Sequence, residues 1–222
     1  MTRFLAPLLF GVLGTALLVA LGLWQLARLE WKETMLAEIE ARIADPAGPL
    51  PEQADPARDR FLPVRIEGRF ETGELHVLVS QKGAGAGYRI IAPFETAAGR
   101  RVMVDRGIVP VPEKDAPRAP GAATVTGNLH WPDEVDRWTP EPDPDAGIWF
   151  ARDVPRMAEA LGAEPVLVIA RDVSLPGAAP LPVSTDGIPN DHLEYAVTWF
   201  GLAAVWLGMT LWLLWRIRRR TL

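Results

Sequence analysis

Two long uncharged stretches frame the chain. Phe4 to Ala27 runs 24 residues without a charge, and Tyr195 to Trp215 runs another 21. At about 1.5 Å of helix rise per residue, each reaches roughly 30 Å, the thickness of a bilayer's hydrocarbon core. The pattern predicts transmembrane helices over residues 4–27 and 195–215. Ala20-Leu21-Gly22 is a small-x-small triplet that would also suit a cleaved signal peptide. The length of the apolar run, with only Arg3 before it, favours the span.

The intervening pattern first continues as a helix. Trp31, Met35, Ile39 and Ile43 recur at helical spacing while Glu33, Glu38, Glu40 and Arg42 face away. Pro46, Gly48, Pro49, Pro51 and Pro56 then break regular structure. Beyond Arg60 the texture is β: residues 61–68, alternating from Val64, then 75–79, 88–91, 102–104, 124–129 and 166–170, mostly bounded by Gly or Pro. Val154 to Leu161 reads as a short helix. Such spacing predicts a mostly antiparallel sheet or small barrel. The fold class is α+β, with two transmembrane helices flanking a mostly antiparallel β extramembrane domain that carries one or two short helices. The organisation is a span at 4–27, an α+β domain at 28–194, a span at 195–215 and a basic tail at 216–222.

Charge gives the orientation. All 28 acidic residues lie between the spans, where 18 basic ones leave a net charge of −10. Outside lie only Arg3 and, after the second span, Arg216, Arg218, Arg219 and Arg220. Basic flanks stay cytoplasmic, so both termini face the cytoplasm and the central domain the periplasm or its organellar equivalent. An acidic domain argues against nucleic acid as a partner and leaves membrane lipid as the partner of the spans. The absence of cysteine rules out disulfides, c-type haem attachment, Cys-ligated metal and thiol redox catalysis.

Candidate chemistry is sparse. Gly83-Ala84-Gly85-Ala86-Gly87 runs into a strand pattern instead of a helix, so it reads as a hairpin loop and not a nucleotide site. His76 and His130 are expected on strand surfaces. Asp105-Arg106-Gly107 follows a strand and is expected to turn tightly, with Arg106 in a structural ion pair or binding an anion. No catalytic cluster is found, and an enzyme is not expected. His192 differs by its place, just before the second span and after the N-cap residues Asn190-Asp191. His192, Tyr195, Trp199, Leu202 and Trp206 share a face at steps of three or four. A neutral imidazole against an aromatic stripe at the membrane surface suits axial ligation of haem iron, although interfacial aromatics need no cofactor. Trp24-Gln25, Arg28, Trp31 and Lys32 end the first span at the same interface. Arg28 or Lys32 could pair with a haem propionate or simply anchor the span end.

The run from Asn190 to Ala203, opening Asn190-Asp191-His192-Leu193-Glu194-Tyr195, resembles the signature of the surfeit locus protein 1 family. Gly22-Leu23-Trp24-Gln25 with Arg28, Trp31 and Lys32 resembles its first-span motif. Gly85, Gly87, Tyr88, Pro93 and Phe94 resemble its central segment. Val104 to Pro110 resembles its strand motif, with Ile108 where a tryptophan is usual. The resemblance implies a non-enzymatic assembly factor for haem–copper cytochrome c oxidase in a bacterial inner membrane. It would bind haem a and assist its insertion into the catalytic subunit, with haem a synthase a further partner. His192 would be the metal ligand, with Tyr195, Trp199, Trp24 and Arg28 lining the cofactor. The alternative is a scaffold that binds no haem and stabilises an oxidase intermediate, its spans packing through Gly201 and Gly208.

Overall fold

The computed structural model describes residues 2–81, 85–143, 146–175 and 177–220. The helices are α1 (Thr2–Ala44), α2 (Val154–Leu161) and α3 (His192–Arg220). The strands are β1 (Pro63–Phe70), β2 (Leu75–Gln81), β3 (Gly85–Thr96), β4 (Arg101–Pro110), β5 (Gly121–Leu129), β6 (Ile148–Trp149) and β7 (Leu167–Val173). The chain divides into two compact units, Met1–Glu38 with Thr185–Leu222, and Ile39–Ser184.

The second unit is an α+β structure built on one mixed sheet. Its strands run β1-β5-β7-β4-β3-β2-β6, and β1 also pairs with β3. That extra ladder, Gly68↔Thr96 to Phe70↔Phe94, closes five strands into a small barrel. The sheet is mostly antiparallel, as the spacing predicts, but β4–β7 and β2–β6 are parallel. The parallel β4–β7 pair explains why residues 102–104 and 166–170 read as unbroken apolar runs instead of alternating ones. Val102, Val104, Val168 and Ala170 point into the barrel with Val64, Phe70, Phe94 and Leu129. Met103, Leu167 and Ile169 point the other way, beneath Val154, Met157 and Leu161 of α2. α2 is capped at both ends. Asp153 accepts from the Arg156 amide, and Gly162 closes the helix at φ +60°. Several strands outrun their predicted bounds, β3 and β4 most of all, because ladder pairing carries them through Gly, Pro and charged residues that interrupt the apolar runs.

Gly85 and Gly87 lie within β3, and the ladder with β2 starts at Gln81↔Gly85, as befits a hairpin. Gly83 and Ala84 lie outside the described residues.

The first unit is two helices, each long and apolar enough to cross a membrane. They pack antiparallel. A Cβ on Gly11 would overlap Thr210, one on Gly14 would overlap Trp206, and one on Gly22 would overlap Phe200. Small residues let the backbones approach, the usual basis of helix association where lipid removes the hydrophobic drive. Gly201 and Gly208, the glycines expected to pack, do not: both are exposed, and nothing lies within 4 Å of a Cβ built on either. The close approach is made by the glycines of α1, matched on α3 by Ala196 and Ala203, which are buried in the pair.

Candidate functional site

His192 is the first residue of α3. Its Nδ1 lies 2.8 Å from Oε1 of Gln25 on α1, which is itself buried. An amide oxygen only accepts, so Nδ1 donates in this contact, and in a neutral ring Nε2 then carries the lone pair. A metal-binding histidine is ordinarily held in this way, by an acceptor on its other nitrogen. Sequence reasoning had placed Gln25 only at the end of the span. The available signal was a neutral polar residue at the edge of an apolar run, on the same helical face as Gly11, Gly14 and Gly22.

The other predicted site residues divide. Trp199 is half-buried, whereas Tyr195 and Trp24 are 56% and 59% exposed. The Arg28 guanidinium stacks over the Trp31 ring, 4.0 Å from its centroid. Stacking uses the face of the guanidinium and leaves its N–H edge to meet a carboxylate. On a helix of about 100° per residue, Trp24 and Arg28 lie on one flank of α1, to one side of the face that meets α3. Tyr195 lies to one side of the packing face of α3, and Trp199, one heptad before Trp206, lies at the edge of that face. Among the described residues, no group of three or more His, Asp or Glu side chains is placed to hold a metal ion.

The remaining polar motifs belong to the barrel unit. Asp105-Arg106-Gly107 is not a turn: it lies inside β4. The register with β3 shifts between Arg89 and Ile91, and Gly107 takes φ +117°, so the segment forms an irregularity within a continuing strand. Its amide donates to Asp105 Oδ1 at 3.0 Å, and a Cβ there would run into the carbonyl of Ala179. Asp105 is fully buried and hydrogen-bonded by Arg89, with Arg152 at 3.7 Å. Burial pushes its carboxyl above the usual range, against the pull of Arg89 and Arg152. Arg152 in turn pairs with Glu134. Arg106 lies over Phe70, 4.3 Å from the ring centroid. Burial pulls its pKa down while Glu74, which pairs with Arg118, pulls it up.

Neither histidine of this unit is on an open strand surface. His76 is largely covered, and its Nε2 lies 3.0 Å from Glu74. His130 stacks on Phe61, ring centroids 5.1 Å apart, and its Nδ1 is buried with no hydrogen-bond partner among the described residues. Burial first, then the charges of Arg152 and Arg60, lowers its pKa to about 4. It is a half-buried, neutral residue just past the end of β5.

Residues 12–204, from the middle of the first span to the middle of the second, match the model of the SURF1 family. Surfeit locus protein 1 of Xenopus tropicalis is 30% identical over 211 residues, covering 83% of this chain and 68% of the relative. The human protein of that name is 31% identical over 211 residues, covering 83% and 69%. A SURF1-like protein of Monosiga brevicollis is 30% identical over 216 residues, covering 87% and 82%. The match takes in Gln25 and His192 as well as the barrel, and the chain belongs to the SURF1 family.

Proposed function

We propose that this protein is a membrane-bound assembly factor for haem–copper cytochrome c oxidase. In this reading it binds haem a as cargo and assists its insertion into the catalytic subunit. The observation that carries the reading is the Gln25–His192 pair, in which a buried amide holds one imidazole nitrogen and leaves the other able to donate. A single axial histidine suits a carrier, which must release what it binds. Tyr195, Trp199 and Trp24 offer apolar faces beside it, and Arg28 offers a cation for a propionate. The four arginines at the C-terminal end of α3 support an orientation with both termini in the cytoplasm and the barrel in the periplasm of a bacterial inner membrane. Haem a synthase would be the donor in that compartment, and no catalytic step by this chain is required.

The test is spectroscopic. Full-length protein purified from cells that make haem a is expected to carry a haem absorbance that His192→Ala abolishes. Retention of the parent's full absorbance by the variant overturns the ligand assignment. A colourless parent that still captures oxidase subunits makes the protein a haem-free scaffold instead.

A further inference from the structure

An apolar groove of about 520 Å³ runs along the helix pair, lined by Phe10, Leu17, Leu18, Leu202, Val205 and Met209, with Gly14 and Trp206 between them. Its flank is the one that carries the proposed haem contacts. Phe10, Leu17 and Trp24 follow one another at heptad steps on α1, and Tyr195, Leu202 and Met209 do so on α3. The groove is therefore the continuation, deeper into the span, of the two stripes that flank His192 at its end. Leu202 lies about 15 Å along α3 from His192, and Met209 about 25 Å, at about 1.5 Å per residue.

We propose that this groove binds the isoprenoid tail of haem a, as a subsite continuous with the His192 site. The inference rests on the haem reading above and adds to it the basis for choosing among haems. Ligation at His192 cannot tell haem o from haem b, because the two differ only in a side chain and present nearly the same iron. Haem a and haem o differ from haem b in carrying a long isoprenoid chain. An apolar channel that begins about 15 Å from the ligand lies within reach of such a chain when it extends from the ring edge. A chain laid along the pair would cover Leu17, Leu202 and Met209, each exposed in the two helices alone. The contact is specific by shape, since lipid is as apolar as the tail and supplies no hydrophobic drive of its own.

The experiment titrates full-length protein in nanodiscs with haem a, haem o and haem b, reading the part of the Soret shift that His192→Ala removes. Haem a and haem o are expected to bind about tenfold or more tightly than haem b. Val205→Trp and Leu17→Trp, which fill the groove from opposite helices, are expected to bring haem a and haem o close to haem b. Haem b affinity should not move, and so serves as the check that both variants fold. Equal affinity of the parent for all three haems overturns the tail subsite while leaving ligation by His192 intact. So does a loss of bound phospholipid in the groove variants without any change in haem preference, which would make a lipid chain the occupant. If no haem binds the parent at all, the haem reading and this inference fall together.

Discussion

The barrel unit engages its buried charges with one another, whereas the helix pair buries a neutral amide that leaves one nitrogen of its histidine partner able to donate. Asp105, Arg89, Arg152 and Glu134 form a chain in which each charge meets an opposite one. His130 is packed away neutral against Phe61. In the pair, by contrast, Gln25 consumes one nitrogen of His192 and nothing consumes the other among the described residues. A group fully engaged by its neighbours holds the fold. One that is oriented by a neighbour and still has a lone pair is prepared for a ligand. The charge chain from Arg89 to Glu134 is structural, and the oriented imidazole with a lone pair to offer lies with the helices.

The sharpest way to break this division is at Asp105. Asp105→Ala leaves the buried Arg89 guanidinium without its carboxylate and Arg152 with Glu134 alone, a loss of about 3–5 kcal/mol. The barrel is expected to unfold or become protease-sensitive, measured by urea unfolding and limited proteolysis of the full chain in detergent. A variant as stable as the parent would mean that the two guanidiniums reach water or other partners, and that the cluster is not structural.

A slightly smaller effect tests His130. Its folded pKa of about 4 lies below its ordinary 6.5. Between those values the unfolded chain takes up a proton that the folded barrel refuses. Stability present above pH 6.5 is therefore lost as pH falls toward 4, by up to about 3 kcal/mol at about 1.4 kcal/mol per unit. His130→Phe keeps a ring against Phe61 and removes the titration. The urea midpoint of the parent should fall between about pH 7 and pH 4.5, and that of the variant should fall much less. Parallel slopes for the two proteins would assign the acid sensitivity to other groups.

Much of this was legible from patterning. The two spans, α2 and six of the seven strands follow from apolar runs, β-branched residues and Gly or Pro boundaries. β6 does not, because two residues, Ile148 and Trp149, carry no periodicity. The turn expected at Asp105-Arg106-Gly107 failed for a definite reason. The glycine there serves a left-handed residue and a close approach to Ala179 within a strand, and its local signature is the same as that of a turn. His192 was visible through its position at the mouth of a span. Its partner was not, since helical phase says which face a residue occupies and not which helix it meets. Gly201 and Gly208 were misread for the same reason: their spacing suits close packing, but the face they occupy points away from α1.

The finest test of the comparison is Gln25→Leu, which removes the acceptor and keeps the apolar bulk. A hydrogen bond between membrane helices contributes only about 0.6 kcal/mol on average and up to about 1.7, so the pair should remain assembled with a loss of that order. The consequence for His192 is qualitative. In the parent the Gln25 carbonyl holds the proton on Nδ1; in the variant a neutral imidazole is free to carry it on Nε2, which would block the donor position in a fraction of molecules. Nitrogen NMR of ring-labelled histidine in nanodiscs reads this directly. The Nδ1–H form should predominate for His192 in the parent and give way in Gln25→Leu, with His76 and His130 unchanged as internal references. A parent already protonated on Nε2 would show that Gln25 presents its amide nitrogen to the ring, and the helix pair would lose the one feature that separates it from the barrel.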